Sequence, residues 1–451
     1  MRVYSGGGRR VAGGTGEKRP ARGGKRLQSA KKRRRAPKIL LTAAGVTLVT
    51  CLMLVRGVGL PEKVFGEEPK EQELIPLTEA RPAESEPTGA QREEGHFLLS
   101  FAGDCTLGTE HGSWGKSGTF PEVVGENYAY PFAGVQSLFA RDDFTFVNLE
   151  GTLTSHTVPA EKQFRFRGPT SYGAILTEGS VEAVTLANNH TLDYGKTGLQ
   201  ETRQVLKDLG VAAGGDGETF LYTASRGLKI GVYTAYHFDR PQIRQGIETL
   251  QNQGAELIIA AFHSGAEGSY TPTARQKDMF RYAADCGAHI VYNSHPHVLQ
   301  PVEHYRDSVI FYSLGNFSFG GNRNPSDKDT VVIQVEVERQ ADGSVVLSQV
   351  LTHPCSVSSR SDRNDYQPTL CAAGSARAQR VEQKLAGTYQ APVSVPKPEE
   401  EEPQTAAQEE APEEPVQASG QEETVVSGPA ELPGEAEAPE EGAAPEDTVL
   451  L

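Results

Sequence analysis

The chain has 451 residues, of which 37% are hydrophobic, and a formal net charge of −15. Most of the charge lies at the two ends: residues 1–38 hold fourteen Lys and Arg against one acid, and residues 391–451 hold seventeen acids against one Lys. Neither end has enough apolar surface to offset the entropy of ordering it, so we predict disordered tails. The composition excludes a wholly disordered chain, a coiled coil and a small disulfide-stapled domain, and it leaves about 96–375 for one folded domain.

Near the N-terminus, the uncharged segment 39–55 follows a run of basic residues. As a helix it would span about 25 Å, close to a hydrocarbon core of about 30 Å. The preceding Lys and Arg predict a cytoplasmic N-terminus. We therefore predict a basic cytoplasmic tail over 1–38, an uncleaved transmembrane signal anchor over 39–60, and a main domain on the outside of the cell membrane.

Two other interpretations of this region remain open. The apolar segment could be a cleaved signal peptide, although no small-residue cleavage motif follows it. The basic run could bind nucleic acid, but beside an apolar span its attraction to anionic membrane lipid is the better explanation, so we expect no nucleic-acid partner.

Two further segments are rich in Glu and Pro and are predicted to be disordered: a stalk over 61–95 and an acidic Glu/Pro/Ala tail over 376–451. Near the end of the domain, Cys355 and Cys371 enclose a polar stretch. They could form a disulfide in an oxidising compartment or remain two free thiols, and the sequence alone does not decide.

Between the tails, short apolar runs alternate with helical patterns. The apolar runs predict strands within 96–104, 142–151, 181–190, 227–236, 256–263, 289–297, 309–317, 330–338 and 344–351. The spacing of apolar residues and stop signals predicts helices over 197–210, near 241–253 and over 273–287. Alternating strands and helices followed by a run of strands indicate an α/β domain with a large mixed sheet or a sandwich.

Polar side chains cluster just past the carboxyl ends of these strands, where open α/β sheets place their ligand sites. The cluster comprises Asp104, Glu150, Asn189, His190, His263, His295 and His297. In the sequence Ser-His-Pro-His, an extended chain would direct His295 and His297 to one face, and Pro296 favours an extended conformation at the residue before it. Two neighbouring imidazoles suit metal binding.

Each of these residues also has a purely structural interpretation. The two histidines could lie in a surface turn, Asn189 could serve a turn through its backbone preferences, and Asp104 and Glu150 could cap helices. Their joint occurrence after strands favours a metal site. Oxygen and imidazole ligands together suit Mn, Fe, Zn or Mg, and two such ions about 3.5–4 Å apart can activate a water and hold a phosphoryl oxygen. The sequence has no P-loop, no GxGxxG motif and no G-x-S-x-G motif.

Six segments in order resemble the capsule synthesis protein CapA family, the poly-gamma-glutamate biosynthesis proteins, over about 97–350. They are GDCTLG (103–108), NLEGTLT (148–154), ANNHTLDYGKTGLQET (187–202), FHSGAEGSY (262–270), NSHPHVLQPVE (293–303) and YSLGNF (312–317), and NDYQP (364–368) resembles the end of some members. The resemblance implies a fold like that of the calcineurin-like metallophosphoesterases, a mixed β-sandwich flanked by helices with a two-metal site.

Carried over position by position, the resemblance also implies site residues. The implied metal ligands are Asp104, Glu150, Asn189, His263, His295 and His297, with Glu150 in the bridging position. His190 matches a catalytic histidine that meets the phosphoryl oxygen or the leaving group. Thr106 stands where phosphoesterases have a histidine, and Ser264 stands where the capsule family has an aromatic residue. Asp193 and Glu267 belong to the capsule family's own motifs, without an assigned role.

Two functions from different classes follow from the resemblance. The first is a membrane-anchored, extracellular protein of capsule synthesis that holds or passes a poly-gamma-glutamate-like polymer, with other membrane subunits of a synthesis complex as partners. The second is an active metal-dependent hydrolase of phosphoester or γ-glutamyl bonds, with metal-activated water as nucleophile and His190 as general acid. An adhesin that displays the acidic tail is a third, less supported hypothesis.

Overall fold

The computed structural model describes residues 77–79 and 94–391. Within these residues the strands are β1 (Leu77–Glu79), β2 (His96–Thr106), β3 (Thr109–Glu110), β4 (Phe144–Leu149), β5 (Thr152–Leu153), β6 (Phe166–Gly168), β7 (Ala183–Thr185), β8 (Ala212–Gly214), β9 (Glu218–Thr223), β10 (Lys229–Ala235), β11 (Leu257–His263), β12 (Ile290–Ser294), β13 (Val302–Tyr305), β14 (Ser308–Phe311), β15 (Asn316–Phe319), β16 (Asp329–Arg339), β17 (Val345–Ser356) and β18 (Thr369–Leu370). The α-helices are α1 (Phe120–Val124), α2 (Gln136–Phe139), α3 (Ala174–Glu178), α4 (Gly195–Leu209), α5 (Arg240–Asn252), α6 (Ala274–Asp285) and α7 (Ala376–Leu385).

Two large mixed sheets form the body of the described region. The first has the order β1-β17-β16-β2-β4-β7-β8, with β15 beside β2 and β18 beside β17. In it β2, β4, β7 and β8 run parallel, and β16 is antiparallel to both of its neighbours. The second has the order β13-β14-β12-β11-β10-β9, with a parallel centre and an antiparallel strand at each edge. The predicted α/β class with mixed sheets is therefore confirmed.

The two sheets pack face to face around one hydrophobic core. Phe101 of the first sheet lies 5.5 Å from Phe311 and 6.4 Å from Tyr292 of the second, measured between ring centroids. The Tyr292 hydroxyl donates a hydrogen bond of 2.8 Å to the carbonyl of Ala102, across the core. This hydrogen bond satisfies the one polar group of a fully buried ring, so an aromatic residue with a polar tip can lie between the sheets.

Helices cover the outer face of each sheet. Leu206 of α4 packs in an apolar cluster against the first sheet, together with residues of α1, α2 and α3. Ile247 of α5 and Phe280 of α6 pack in a separate cluster against the second sheet. Gly210 ends α4 in a left-handed conformation (φ 73°), as the sequence predicts for a helix stop.

The predicted strand at 309–317 is in fact two strands that belong to different sheets. β14 pairs with β12 in the second sheet, and β15 pairs with β2 in the first. The chain crosses between the sheets at Tyr312–Gly315, where Gly315 adopts a positive φ of 66°. Because one segment enters both sheets, their edges are joined where the polar residues of β2 and β15 lie.

Regular structure also occurs in two segments predicted to be disordered, so those predictions are wrong in part. β1 lies within the predicted stalk and pairs in parallel with β17. α7 follows residue 375, begins at the N-cap Ser375 and buries Val381 and Leu385 in the core between the sheets. The buried ammonium of Lys384 contacts Asp329 at 2.7 Å, which compensates for its charge. The folded region therefore extends past 375. The prediction ended it too early because the segment is mostly polar, and its three apolar positions at helical spacing were overlooked.

Within the described residues, no helix is both long and apolar enough to cross a membrane, and the predicted span at 39–60 lies outside them. The four cysteines that the structure describes are free thiols, including Cys355 and Cys371. Burial raises the pKa of the Cys355 thiol above its usual range, so this thiol is protonated at neutral pH.

Gly103 is required by a close approach between β2 and the crossing segment. A Cβ at this position would lie 1.9 Å from the Gly315 carbonyl oxygen, which also accepts a 2.9 Å hydrogen bond from Asp104 N. We expect Gly103→Ala to lower the free energy of unfolding by about 3 kcal/mol, because backbone must move to admit the methyl group. Urea unfolding would measure the change.

The matched control is Gly112→Ala. Its added Cβ would meet only the movable carboxylate of Glu110, at 3.0 Å, on the protein surface. Equal stability of the two variants would show that the approach at Gly103 is not a constraint.

Candidate metal centre

The seven side chains predicted from the sequence lie together, at the edge where the parallel strands of both sheets end. The first sheet supplies Asp104 near the end of β2, Glu150 directly after β4, and Asn189 and His190 after β7. The second sheet supplies His263, the last residue of β11, and His295 and His297 after β12. Sequence reasoning thus located the cluster, and the roles of these residues as ligands and catalyst stay predictions.

Glu150 is at the centre of the cluster. Its side chain is fully buried, and neither carboxylate oxygen has a hydrogen-bond partner among the described residues. Oε1 lies 3.7 Å from His190 Nε2, 3.9 Å from His263 Nε2 and 3.8 Å from His297 Nε2. A buried carboxylate without donors is costly, so this arrangement calls for a positive charge close to Glu150.

The spacing of these atoms fits a divalent cation. Two ligands that each lie about 2.0–2.2 Å from one ion are at most about 4.4 Å apart, and the contacts of Glu150 Oε1 with His263 and His297 are both shorter than this. They are also too long for hydrogen bonds. Ligand atoms of Asp104, Glu150 and His297 all lie within 4.8 Å of one another. The donor set of carboxylate and imidazole groups is one that Mn, Fe and Zn accept.

Asp104 is positioned by its strand neighbours. It pairs in register with Asn148 of β4, whose side-chain amide donates a 2.8 Å hydrogen bond to Asp104 Oδ1. The other carboxylate oxygen, Oδ2, lies 3.2 Å from His297 Nδ1. Because Asn148 holds one oxygen, the second is directed toward the histidines.

His263 and His295 are held as neutral imidazoles. Ser294 Oγ lies 2.8 Å from His263 Nδ1. The other ring nitrogen of His263, Nε2, lies 2.9 Å from Asn189 Oδ1 and 3.1 Å from His295 Nδ1. Burial and the neighbouring histidines lower the pKa of His263 well below its usual value and that of His295 to about 4. Unprotonated imidazoles at neutral pH can donate a lone pair to a metal.

His297 behaves in the opposite way. Burial alone would lower the pKa of His297, but the carboxylates of Glu150 and Asp104 raise it to about 10. Burial raises the pKa of Glu150 well above its usual range, and the charge of His297 opposes that rise. In the metal-free protein, His297 is therefore the group that carries positive charge beside the carboxylates.

The predicted extended conformation of the His-x-His segment is wrong. β12 ends at Ser294, and His295 and His297 have positive φ values of 98° and 57°. Their rings are nevertheless neighbours, with centroids 6.0 Å apart. Positive φ at a residue with a side chain costs about 1–3 kcal/mol, and such residues are concentrated at functional sites. Packing at the end of the strand therefore overrides the preference of this segment for an extended conformation.

His190 has a separate set of contacts. Its Nδ1 lies 2.7 Å from Asp193 Oδ2, and its ring stacks on Phe166 with centroids 4.2 Å apart. Asp193 is fully buried and also accepts a 2.6 Å hydrogen bond from Lys162 Nζ. With Nδ1 held by Asp193, Nε2 faces Glu150, which is the geometry of an oriented acid–base histidine.

Thr106 stands where the phosphoesterase pattern has a histidine, and Glu267 belongs to a motif of the capsule family. The Thr106 hydroxyl is buried and has no hydrogen-bond partner among the described residues, and it cannot replace an imidazole. The carboxylate of Glu267, on the loop after β11, comes within 4.8 Å of nitrogen atoms of both His295 and His297. Glu267 is thus a further ligand candidate on the exposed side of the centre.

Sequence reasoning missed three supporting amides. Asn148 links Asp104 to the cluster, and Asn188 donates to Asn148 Oδ1 at 3.0 Å and accepts a 3.0 Å hydrogen bond from His190 N. Asn316 Oδ1 lies 3.0 Å from His297 Nδ1. Asn148 and Asn188 lie within two residues of a predicted ligand, and Asn316 begins β15 within a quoted motif. These positions are the signal that could have identified the three amides.

The class of protein follows from sequence comparison. Residues 98–321 match the model of the family described as bacterial capsule synthesis protein PGA_cap, and the chain belongs to this family. The segment contains every residue of the cluster described above, and the resemblance predicted from the motifs is confirmed.

Among individual relatives, the chain is similar to the PGA biosynthesis protein CapA of Bacillus subtilis (strain 168), with 26% identity over 56% of this chain and 71% of that protein. It is also similar to the capsule biosynthesis protein CapA of Bacillus anthracis, with 25% identity over 61% of this chain and 72% of that protein. Among solved structures, the NAD nucleotidase NadN of Haemophilus influenzae matches with a TM-score of 0.33 and 11% identity, over 65% of this chain and 63% of that one.

Replacing either His295 or His297 by Ala tests them as metal ligands. We expect each variant to bind metal at least about tenfold more weakly, while the chain stays folded. Replacing even a residue that only hydrogen-bonds to a metal ligand lowers the metal affinity by this much. Elemental analysis after metal exchange, together with circular dichroism, would measure both properties.

The control is His304→Ala, because neither ring nitrogen of His304 has a hydrogen-bond partner among the described residues and β13 is an edge strand. A metal content equal to that of the wild type in the His295 and His297 variants would rule them out as ligands.

Proposed function

We propose that the chain acts in the synthesis or assembly of an anionic capsule polymer of the poly-gamma-glutamate type and that it binds divalent metal at the Glu150 cluster. Membership of the bacterial capsule synthesis protein family supports the first part. The names of two relatives, a PGA biosynthesis protein and a capsule biosynthesis protein, point to the same process. We also infer a metallophosphoesterase-like type of sandwich, which the motif resemblance implies.

The single observation that carries the metal part is the pair of orphaned, fully buried oxygens of Glu150. Glu150 would bridge between ligands contributed by the two sheets. The proposed ligands are Asp104, Glu150, Asn189, His263, His295 and His297, with Mn, Fe, Zn or Mg as the ion. A bound ion would supply Lewis acidity toward a phosphoryl or carbonyl group of a substrate.

The proposed location is the outer face of the cell membrane. The uncharged segment 39–55 behind a basic run supports an N-terminal anchor within 39–60, with a cytoplasmic N-terminus. The proposed partners are the anionic polymer, membrane lipid and other membrane subunits of a capsule synthesis complex. An extracellular domain on an anchor would keep the metal centre beside a polymer as it leaves the cell.

A second candidate function is hydrolysis of phosphoester or γ-glutamyl bonds. The observation that favours it is the contact of 2.7 Å between His190 Nδ1 and Asp193, which orients Nε2 toward Glu150. Asp193 would stabilise the protonated imidazole, and His190 would then give its Nε2 proton to the leaving group.

The role in capsule synthesis can be tested by complementation. We expect this chain, produced in a Bacillus subtilis strain that lacks its own CapA, to restore secreted poly-gamma-glutamate, measured by gel electrophoresis of the culture supernatant. A correctly expressed, membrane-associated chain that restores no polymer would contradict the proposed role.

Turnover is tested separately with His190→Asn, which removes the titrating ring. If the centre hydrolyses its substrate, we expect this variant to lose about 100-fold or more in rate with phosphoester or γ-glutamyl oligomer substrates, because a general acid supplies an effect of this size. The metal content should stay at the wild-type value. Unchanged turnover would remove His190 as the acid, and His304→Asn is the matched control.

A further inference from the structure

A second concave site lies at the β13 edge of the second sheet. It is a cavity of about 280 Å³ between the loop that precedes α6, the face of α6, and the end of the chain after α7. Its walls include Tyr270, Lys277, Arg281, Glu303, Lys384 and Tyr389. The role in metal binding uses none of these residues.

The cavity combines aromatic walls with cationic groups. The ring of Tyr270 lies edge-on to the ring of Tyr389, with centroids 5.0 Å apart, and the ammonium of Lys384 lies 4.9 Å from the centre of each ring. Rings of this kind offer flat apolar area for methylene and amide groups. The site is therefore suited to a ligand that is both anionic and partly apolar.

Only one of the three cations is available for a ligand. Lys384 contacts Asp327 at 2.6 Å and Asp329 at 2.7 Å, and Arg281 contacts Glu303 at 2.5 Å. Lys277, one helical turn before Arg281 on α6, is exposed, and its side-chain ammonium makes no ion pair or hydrogen bond with any residue that the structure describes. A ligand carboxylate at Lys277 would thus meet a charge that no protein group already neutralises.

Two loops connect this cavity directly to the metal centre. The loop after His263 leads to Tyr270, and the segment after His297 reaches Pro301, which also lines the cavity. Pro301 is the fourth residue after His297, so their Cα atoms are at most about 14 Å apart. The Gln300 side chain donates a 2.8 Å hydrogen bond to the Ser269 carbonyl, and this bond holds the two loops together.

We propose that this cavity is a polymer subsite that binds a carboxylate-bearing residue of an anionic polyamide chain while another part of the same chain lies at the metal centre. Lys277 would bind the carboxylate, the rings of Tyr270 and Tyr389 would pack on the methylene groups, and the Glu303 carboxylate would accept a hydrogen bond from a backbone amide. The proposal rests on the proposed role in polymer synthesis and names the contact that such a polymer makes.

The test uses the full-length chain in detergent, with EDTA present so that the metal centre does not contribute. The probe is a fluorescently labelled γ-linked glutamate oligomer, and the dissociation constant is measured by fluorescence anisotropy at low salt. We expect Lys277→Glu to weaken binding about tenfold or more, because an attraction becomes a repulsion, and Lys277→Gln to weaken it less. Added salt should reduce the difference.

Lys207→Glu is the matched control. It makes the same change of charge at an exposed lysine of α4, which covers the opposite outer face of the sandwich. The acidic segment 391–451 is present in every variant, so any competition from it is the same throughout. We expect this control to bind the oligomer as tightly as the wild type.

Equal affinities of Lys277→Glu and the wild type would overturn the proposed subsite, as would a wild-type chain that does not bind the oligomer. An equal loss in the Lys207→Glu variant would also overturn it, since only the total charge would then matter. Because the role in capsule synthesis is judged by restored polymer in cells, its failure is distinguishable from the failure of this subsite.

Discussion

The constraint on which the site depends is the burial of the Glu150 carboxylate without a hydrogen-bond donor. An ion of this kind, taken out of water, costs several kcal/mol unless a charge of opposite sign lies close to it. This cost raises the pKa of Glu150 well above its usual range, and the charge of protonated His297, whose pKa Glu150 and Asp104 raise to about 10, offsets it in part. A divalent cation would satisfy the same carboxylate more completely, and this is why we propose a metal centre at the cluster.

The sandwich is what makes this cluster possible. Glu150 belongs to the first sheet and His263 to the second, and they meet because the parallel strands of both sheets end at the same edge. The crossing segment at Tyr312–Gly315 joins the sheets next to Asp104, and Gly103 permits that approach. Neither sheet alone contains the full set of donors. The packing of aromatic rings between the sheets therefore holds together the two sheets that supply the donors, as well as stabilising the fold.

The sequence predicted those features that follow from local pattern. Apolar runs located the strands, and the position of Glu150 directly after such a run located the site. The conformation of His295 was not predictable, since its positive φ is imposed by packing at the end of a strand rather than by its neighbours in sequence. The supporting role of Asn148 depends on register between strands, and the burial of Lys384 depends on Asp329, more than fifty residues away. Such long-range contacts leave no periodic trace in a single sequence.

The measurement that tests the central claim most directly is a calorimetric titration of the metal-stripped chain with Mn²⁺ or Zn²⁺ between pH 6 and 8, in two buffers with different ionisation enthalpies. The account predicts at least one ion per chain. We also expect release of at least one proton near pH 7, because His297 is protonated well below its pKa of about 10 and must lose that proton to become a ligand, and any proton held by Glu150 must leave as well. Since protons compete with the metal, the apparent affinity should rise with pH, by up to about tenfold per unit for one proton. Absence of binding at every pH would contradict the account.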